Sequence, residues 1–581
     1  MSSPSATLAP FDGPADVVVV GGGSAGCVVA SRLSEDPSRR VVLLEAGPEY
    51  DLEGPNELTE LYGGKPVMQP KYYWPGLEAT TASSTLWPRG QPPRVSYKQP
   101  MLLGGGSAIN GQIALRGAPA DFEEWVRLGA TGWGWDDVLP YFKALEHDLD
   151  FGGPLHGQAG PVSIRRTPQE QWDSTSLALT DALLQLGHPY LEDLNGEFAA
   201  GHGPVPMNND GTIRCSMVRA YLGAEVRRRH NLRVVTDIRA TRVRIENKQV
   251  VGVEALKDGS PIFLPAHQVV LSAGAINTPC LLMHSGVGPG EHLRSFGIEV
   301  VEDRPGVGGN LHNHPMTSVS AYTEPEARTV RPQRRVFTYV RYSSGVPGCP
   351  SADMVLSTSA RSMWHAVGRR IFTISPSVGI PYSTGSVRLS SADPMANPVI
   401  DNNCLADPRD LARLREGFKF AARLMLDHLH PKFVGEPFPT YLSKRVERLA
   451  IPKRSNQFVT WAGAMVMDAS PMLRKLLLEK VVRQGPTLAH LLSDDRLLEE
   501  FLAERVNLAW HHTSTARMGA ADDPGAVVDP GCAVMGVDGL YVADASIMPR
   551  ITRTNPQIPT IMIGERAAEL IAGAGRRAAI N

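Results

Sequence analysis

Cysteine is scarce in this 581-residue chain. The six present, Cys27, Cys215, Cys280, Cys349, Cys404 and Cys532, are dispersed, and none sits at Cys-x-x-Cys spacing. That argues against a zinc knuckle or a disulfide scaffold and fits a reducing compartment. An excess of one charge is missing too: 58 Lys and Arg stand against 60 Asp and Glu. Nucleic-acid binding therefore has no electrostatic footprint. Long apolar runs are also lacking. Val17 to Ser31 is the longest early one, and its four glycines make it too broken to span a bilayer. Met1 to Pro14 lacks the charged-then-apolar pattern of a signal segment. A soluble cytoplasmic protein is expected, with no membrane association, and nothing indicates an oligomeric state. No internal repeat or low-complexity tract is present.

What is there suits a large folded protein. Apolar residues are 42% and charged residues 20% of the chain, which excludes wholesale disorder. Glycine (56) and proline (47) make up roughly 18%, against about 12% on average, so loops and close backbone approaches are expected. The length fits two large, interwoven domains as well as three or four small ones.

Asp16-Val17-Val18-Val19-Val20 reads as a strand buried on both faces, and Val41-Val42-Leu43-Leu44-Glu45 as a second. Between them lie Gly21-Gly22-Gly23-Ser24-Ala25-Gly26 and a helical pattern through Leu33 that Asp36-Pro37 stops. This is a βαβ unit with a GxGxxG turn. Gly21 allows the tight turn, Gly23 lets backbone approach a pyrophosphate, and Gly26 lets helix and strand pack closely. The helix N-terminus at Ser24 and Ala25 offers free N–H groups to phosphates. Glu45 can accept from both ribose hydroxyls, which argues against a 2′-phosphate. Spacing alone leaves FAD and NAD both open. The same stretch matches Gly-x-Ser-x-Gly, but the dinucleotide reading explains every residue without a Ser24 nucleophile. A second glycine cluster, Gly104-Gly105-Gly106-Ser107-Ala108-Ile109-Asn110, can form an anion nest or lie flat against a ring system.

Further along, Leu411 to Leu426 has helical spacing, and a strand at Gly539 to Asp544 precedes a helix from Gln557 to about Ala572. Trp510-His511-His512 places a His pair beside a Trp, and Asn555-Pro556 follows 44 residues after His511. Adjacent histidines diverge on a regular element, so no metal site is expected there or at His312-Asn313-His314.

These residues carry a resemblance to the GMC (glucose–methanol–choline) oxidoreductase family over nearly the whole length. The fingerprint with Glu45 fits, as do Gly104 to Asn110, Gly274-Ala275-Ile276-Asn277-Thr278-Pro279 through Gly288, Pro305 to Leu311, His314-Pro315, Val542 to Ser546 and Met562 to Arg566. Within the family the chain is most similar to bacterial aryl- and furfuryl-alcohol oxidases, through Trp510-His511 and Pro154-Leu155-His156-Gly157.

The resemblance implies an α/β fold: a Rossmann-like FAD-binding domain interwoven with an α+β substrate domain built on an antiparallel sheet. The FAD domain would take residues 14–150, 228–317 and 500–577. The substrate domain would take 151–227 and 318–499, with an insertion at about 444–492. It implies oxidation of an alcohol, primary and of aromatic or furfuryl type, to the aldehyde, with hydride passing to flavin N5 and O2 as acceptor. A choline-type dehydrogenase using another acceptor, and a non-redox hydroxynitrile-lyase-like enzyme, are the alternatives. His511 would be the base and Asn555 its partner. The cofactor would contact Gly21, Gly23, Ser24, Ala25, Gly26, Glu45, Gly105, Ser107, Asn110, Gly111, Val243, Asp544, Ala545, Asn555 and Pro556. Trp510, Val378 and His512 would line the substrate pocket.

There are departures from the family pattern. Ile109 stands where covalently flavinylated members carry His, so the FAD is expected to be non-covalent. Pro100-Met101 removes a usual basic residue. The insertion is apolar and Met-rich, with Phe458, Trp461, Met465, Met467, Met472 and Leu476. A lid, a subunit interface, a membrane contact and plain packing on the second domain all fit it.

Overall fold

The β-branched run near the N-terminus forms the strand Ala15–Val20, in which Val17, Val18 and Val19 are fully buried. The computed structural model of the chain describes residues 6–7, 11–51, 54–61, 64–87, 90, 92, 94–328, 338–441, 444–482 and 485–578. Ala15–Val20 pairs in parallel with Val41–Leu44, Val17 opposite Val41, and Val41–Leu44 pairs in parallel with Leu232–Val235. On its other side lies the second half of the long strand Ser260–Leu271, which Leu540–Val542 also joins in parallel. The first half of Ser260–Leu271 continues antiparallel into Gln249–Lys257 and then Ile238–Glu246. Both faces of the parallel part are covered, which is why its strands are continuous apolar runs rather than alternating ones.

The helix Ser24–Leu33 follows the glycine turn. A Cβ on Gly26 would lie 1.8 Å from the Gly21 carbonyl oxygen. Any side chain there would push the helix off the strand. Beside it runs the helix Gln557–Ala578. Arg32 and Glu565 join the two helices with an ion pair at 2.7 Å.

The second layer is an antiparallel sheet in the order Phe438–Thr440, Ser318–Tyr322, Ile371–Val378, Met354–Ser359, Thr338–Tyr342 and Gly201–Pro204. The helix Pro408–Arg423 packs its Leu414, Phe418 and Ala421 against Phe372, Ile374 and Leu356. Asp407 caps that helix, accepting from the Arg409 N–H, and Pro408 opens it. The pattern at Leu411 to Leu426 therefore starts three residues early, and its end widens into a separate turn, Leu424–Leu429.

The parallel-sheet strands come from 15–44, 232–271 and 540–542, and the antiparallel ones from 201–204, 318–378 and 438–440. A third sheet stitches them together, with Glu78–Ala82 beside Val399–Cys404. The insertion forms the helices Lys444–Ala450, Arg454–Ala469 and Pro471–Leu477. None of the described helices is long and apolar enough to cross a membrane.

Candidate active site

One continuous cavity of about 470 Å³ runs between the two glycine clusters and the C-terminal His pair. One end is walled by Gly21, Gly23, Ser24, Ala25 and Glu45, the middle by Gly105, Asn110, Gly111, Asp544 and Ala545, and the other end by Trp510, His511, His512, Asn555 and Pro556. The first two walls touch, because the Gly104 N–H donates to the Gly22 carbonyl at 2.7 Å.

The lining fits a dinucleotide. Gly23 faces the cavity, and a Cβ on it would meet no protein atom closer than 3.9 Å. The missing side chain leaves room that a ligand backbone can use. Gln557 Nε2 is buried without a partner in the cavity wall, at the N-terminus of its long helix. That helix end presents a positive dipole and a spare donor to an anionic group. Glu45 accepts from the Gly22 and Gly47 N–H groups, each at 2.8 Å. Burial pushes its carboxyl up to about 7, although those donors oppose the shift. Asp544 accepts from the Gly274 N–H at 2.8 Å and the Thr278 hydroxyl at 2.6 Å, tying the C-terminal strand to the wall.

Four expected site residues are not in the cavity wall. Gly26 packs helix on strand, as its spacing implies. Ser107 turns inward, donating to the Gly104 carbonyl at 2.6 Å and accepting from the Met217 N–H at 3.0 Å. It shapes the second glycine turn from behind. Val243 has its N–H taken by Ser285 Oγ at 2.8 Å, and Ile238, Arg239, Ala240 and Thr241 of the same strand line the cavity instead. Val378 is fully buried in the core of the antiparallel sheet. Its neighbour Gly379 reaches the site through a carbonyl.

At the far end the chain pairs with itself. His312 and Thr513 exchange two backbone hydrogen bonds at 3.2 Å, which sets His312-Asn313-His314 antiparallel to the His511 loop. Trp510 sits in the left-handed region, at φ 57°, and turns the chain into this pairing. Asn313 Oδ1 accepts from the His511 N–H at 3.0 Å.

The hydrogen bonds fix which ring nitrogen carries a proton. His314 Nε2 faces two carbonyl oxygens, Gly379 and Thr552, both at 3.0 Å, so it must donate. Burial holds His314 at about 4, so the ring is neutral and its Nδ1 bears a lone pair. That lone pair lies 2.8 Å from His511 Nδ1, which must then be the donor. Burial first, then the neighbouring His314 and His512, holds His511 well below 6.5. His511 is therefore neutral, with its Nε2 unprotonated at the cavity wall. Asn555 Nδ2 donates to it at 3.0 Å.

His512 is differently placed. Its Nε2 donates to Asn402 Oδ1 at 2.7 Å, and its Nδ1 accepts from the Tyr97 hydroxyl. Asn402 is oriented by its own donation to the Thr80 carbonyl at 2.9 Å. The Nε2 of His512 is thus protonated, and its unprotonated Nδ1 is covered by Tyr97. His314, Tyr97, Asn313 and Asn402 had no role in the sequence reading. The His314-Pro315 pair was a visible signal, while Tyr97 and Asn402 carried none.

Away from the cavity, Glu146, Asp148 and His156 could in principle surround an ion. Arg116 already pairs with Glu146, and Arg166 donates to Asp148 at 2.9 Å and Asp193 at 2.8 Å. Burial opposes charge on His156, but hydrogen bonds to Asp148, Asp193 and Glu146 outweigh it and raise the ring to about 10. This is a balanced ionic knot, with its positive charges already in place.

Comparison with known proteins shows the family. The GMC oxidoreductase N-terminal and C-terminal domains match residues 15–316 and 381–564. The chain is 37% identical to 5-(hydroxymethyl)furfural oxidase of Methylovorus sp. (strain MP688), over 96% of this chain and 98% of that one. It is 31% identical to oxygen-dependent choline dehydrogenase of Rhizobium rhizogenes, over 98% and 97%. Among solved structures, pyridoxine 4-oxidase from Mesorbium loti superposes with a TM-score of 0.78 at 27% identity, covering 96% of this chain and 99% of that one. A dinucleotide cavity that ends on an unprotonated imidazole nitrogen, in a chain matched along its length, makes this protein a member of the GMC oxidoreductase family of FAD-dependent enzymes acting on the CH–OH group of alcohols.

Proposed function

We propose that the protein oxidises a primary alcohol of aromatic or furfuryl type to its aldehyde, with dioxygen as electron acceptor. The observation that carries the reading is His511 Nε2, held unprotonated at the cavity wall beside Asn555 Nδ2. An alcohol hydroxyl is a very weak acid, and hydride leaves its carbon readily only as the proton is drawn off. A positioned base of this kind contributes about 10²–10⁴-fold.

His511 Nε2 takes the hydroxyl proton. Its Nδ1–H stays on His314 throughout, so the imidazolium forms without a change of tautomer. Asn555 Nδ2 donates to the substrate oxygen and sets the direction of the carbinol C–H. Bound FAD supplies the two-electron acceptor for the hydride. Gly21, Gly23 and Glu45 would hold its nucleotide end. Gly105, Asn110, Gly111, Asp544 and Ala545 would hold the rest.

Aromatic rings at this end give a planar aromatic alcohol surface to stack on. Tyr97, bonded to His512, and Trp510 stand at the His511 end, and Tyr73 and Trp74 also line the cavity. Among the described lining residues the only carboxylates are Glu45, at the nucleotide end, and Asp544, in the middle, both already engaged by protein donors. A cation, Lys98 Nζ, lies 5.8 Å from the Trp510 ring centroid. Lys98 is itself paired with Glu447 at 3.5 Å, so among the described residues no unpaired carboxylate stands at this end to hold a quaternary ammonium.

Anaerobic mixing with furfuryl alcohol, benzyl alcohol and choline, followed by admission of air, tests this. Bleaching by the aromatic alcohols and rapid recovery of colour in air are expected. Bleaching by choline alone overturns the substrate class. Slow recovery in air that an artificial acceptor accelerates overturns dioxygen as acceptor.

A further inference from the structure

The helices Arg454–Ala469 and Pro471–Leu477 are anchored on one side and bare on the other. Thr460, Ala464 and Met467 are buried, and Met467 packs with Tyr322, Ile371 and Phe438 of the antiparallel sheet. On the opposite side Phe458 is 67%, Trp461 54% and Met472 77% exposed, with Val459, Met465, Leu473 and Leu476 exposed beside them. Phe458, Trp461 and Met465 follow helical spacing, and the Phe458 and Trp461 rings lie 6.0 Å apart. Water-exposed aromatic and methionine surface of this extent marks a contact site.

Its rim is cationic. The whole chain carries a net charge of −2, yet residues 444–480 hold eight Lys and Arg against three Asp and Glu. Two of those acids are taken, Glu447 by Lys98, and Asp468 by Arg328 and Arg370. Lys444, Arg445, Lys453 and Arg454 are exposed and make no ion pair among the described residues. A second copy placed on this face would set cations against cations.

An apolar stripe of aromatic residues rimmed by Lys and Arg matches the chemistry of an acidic lipid interface. We propose that this face docks the protein on an anionic lipid bilayer. The docking is interfacial and needs no spanning segment. The helix Lys444–Ala450 links the face to the cavity mouth. Its Glu447 lies 3.5 Å from Lys98 Nζ, and its Ala450 packs with Met68 and Trp364. Lys98, Val67 and Trp510 line the cavity itself. Docking therefore brings the mouth to the lipid interface, where alcohols that partition into the bilayer are concentrated.

Co-sedimentation of the FAD-loaded protein with vesicles tests the docking. Vesicles of phosphatidylcholine alone are compared with vesicles containing phosphatidylglycerol. Binding to the anionic vesicles that weakens with salt is expected. Phe458→Ser/Trp461→Ser/Met472→Ser and Lys453→Glu/Arg454→Glu should each lower the vesicle partition coefficient about tenfold. FAD content and oxidation of a water-soluble alcohol without vesicles should not change. Wild-type protein left in the supernatant at low salt overturns the proposal, as does equal binding to both vesicle types. Light scattering that shows a dimer split by the apolar variant also overturns it, because a second copy would then cover the face.

Discussion

His314 Nδ1 and His511 Nδ1 lie 2.8 Å apart, and only one of them can carry the proton between them. Two backbone carbonyls on the far side of His314 decide which. A proton placed by fixed main-chain atoms thus determines the unprotonated nitrogen of a ring 197 residues away in sequence.

His314→Leu should remove that constraint and let His511 adopt either tautomer. Flavin reduction should slow by about 10-fold or more, since part of the population then presents a protonated nitrogen to the substrate. His314→Asn keeps an acceptor where Nδ1 stood and should recover part of the rate. Nitrogen NMR of histidine-labelled protein reads the tautomer directly. A single His511 tautomer in the Leu variant would show that His314 is only packing.

His511→Ala should keep FAD and lose about 10²–10⁴-fold in anaerobic flavin reduction. His512→Ala should lose less, because its Nε2 carries a proton donated to Asn402 and its unprotonated Nδ1 is bonded to the buried Tyr97 hydroxyl rather than set beside Asn555. Stopped-flow traces of the two variants settle the ranking, and the reverse order would make His512 the base.

The pH profile follows from the same environment. A base works unprotonated, and His511 is held well below 6.5 by burial and by its His neighbours. The rate of flavin reduction should be level through 6.5 and decline only at more acid pH. A midpoint at or above 6.5 would mean that the ring is more solvated than its surroundings imply.

Acid or heat should release FAD from the chain, since Ile109 offers no attachment atom. Its affinity should weaken as pH falls through about 7, where the buried Glu45 carboxyl takes up a proton that competes with the ribose hydroxyls. Glu45→Gln should bind more weakly and lose that dependence. Titration of apo-protein with FAD, followed by flavin fluorescence, measures both, and a pH-independent wild type would move the ribose contact elsewhere.

His156 provides a stability test remote from the cavity. Its folded value is raised from 6.5 to about 10, so the folded state binds the proton more tightly than the unfolded chain. That stabilisation is complete below 6.5 and is lost as pH rises toward 10. Tm should fall over this window, and the fall should be smaller in His156→Gln. Parallel curves for the two proteins would count against a protonated His156.

The nucleotide end was legible because its determinants are local. A buried β-branched strand, a glycine turn, a helix and an acid lie within 30 residues, and each answers to backbone geometry or the helix dipole alone. The proposed base and its partner, His511 and Asn555, are legible in the sequence only through motif resemblance. Ser107, Val243 and Val378 were placed on the cavity and are not there. Which face of a turn or strand looks inward depends on the element packed behind it, Met217 for Ser107 and Ser285 for Val243.

By itself the sequence determined the βαβ dinucleotide unit, the strand preceding the last helix, and the residue types able to do acid–base chemistry. Only the tertiary structure decided which ring nitrogen of each His is unprotonated. That choice rests on acceptance by the Gly379 and Thr552 carbonyls and Asn402 Oδ1 and on donation by the Tyr97 hydroxyl, groups from separate segments that meet only in the folded protein. An imidazole has two nearly equivalent tautomers, and no local pattern selects between them. Fixed acceptors placed by the fold do.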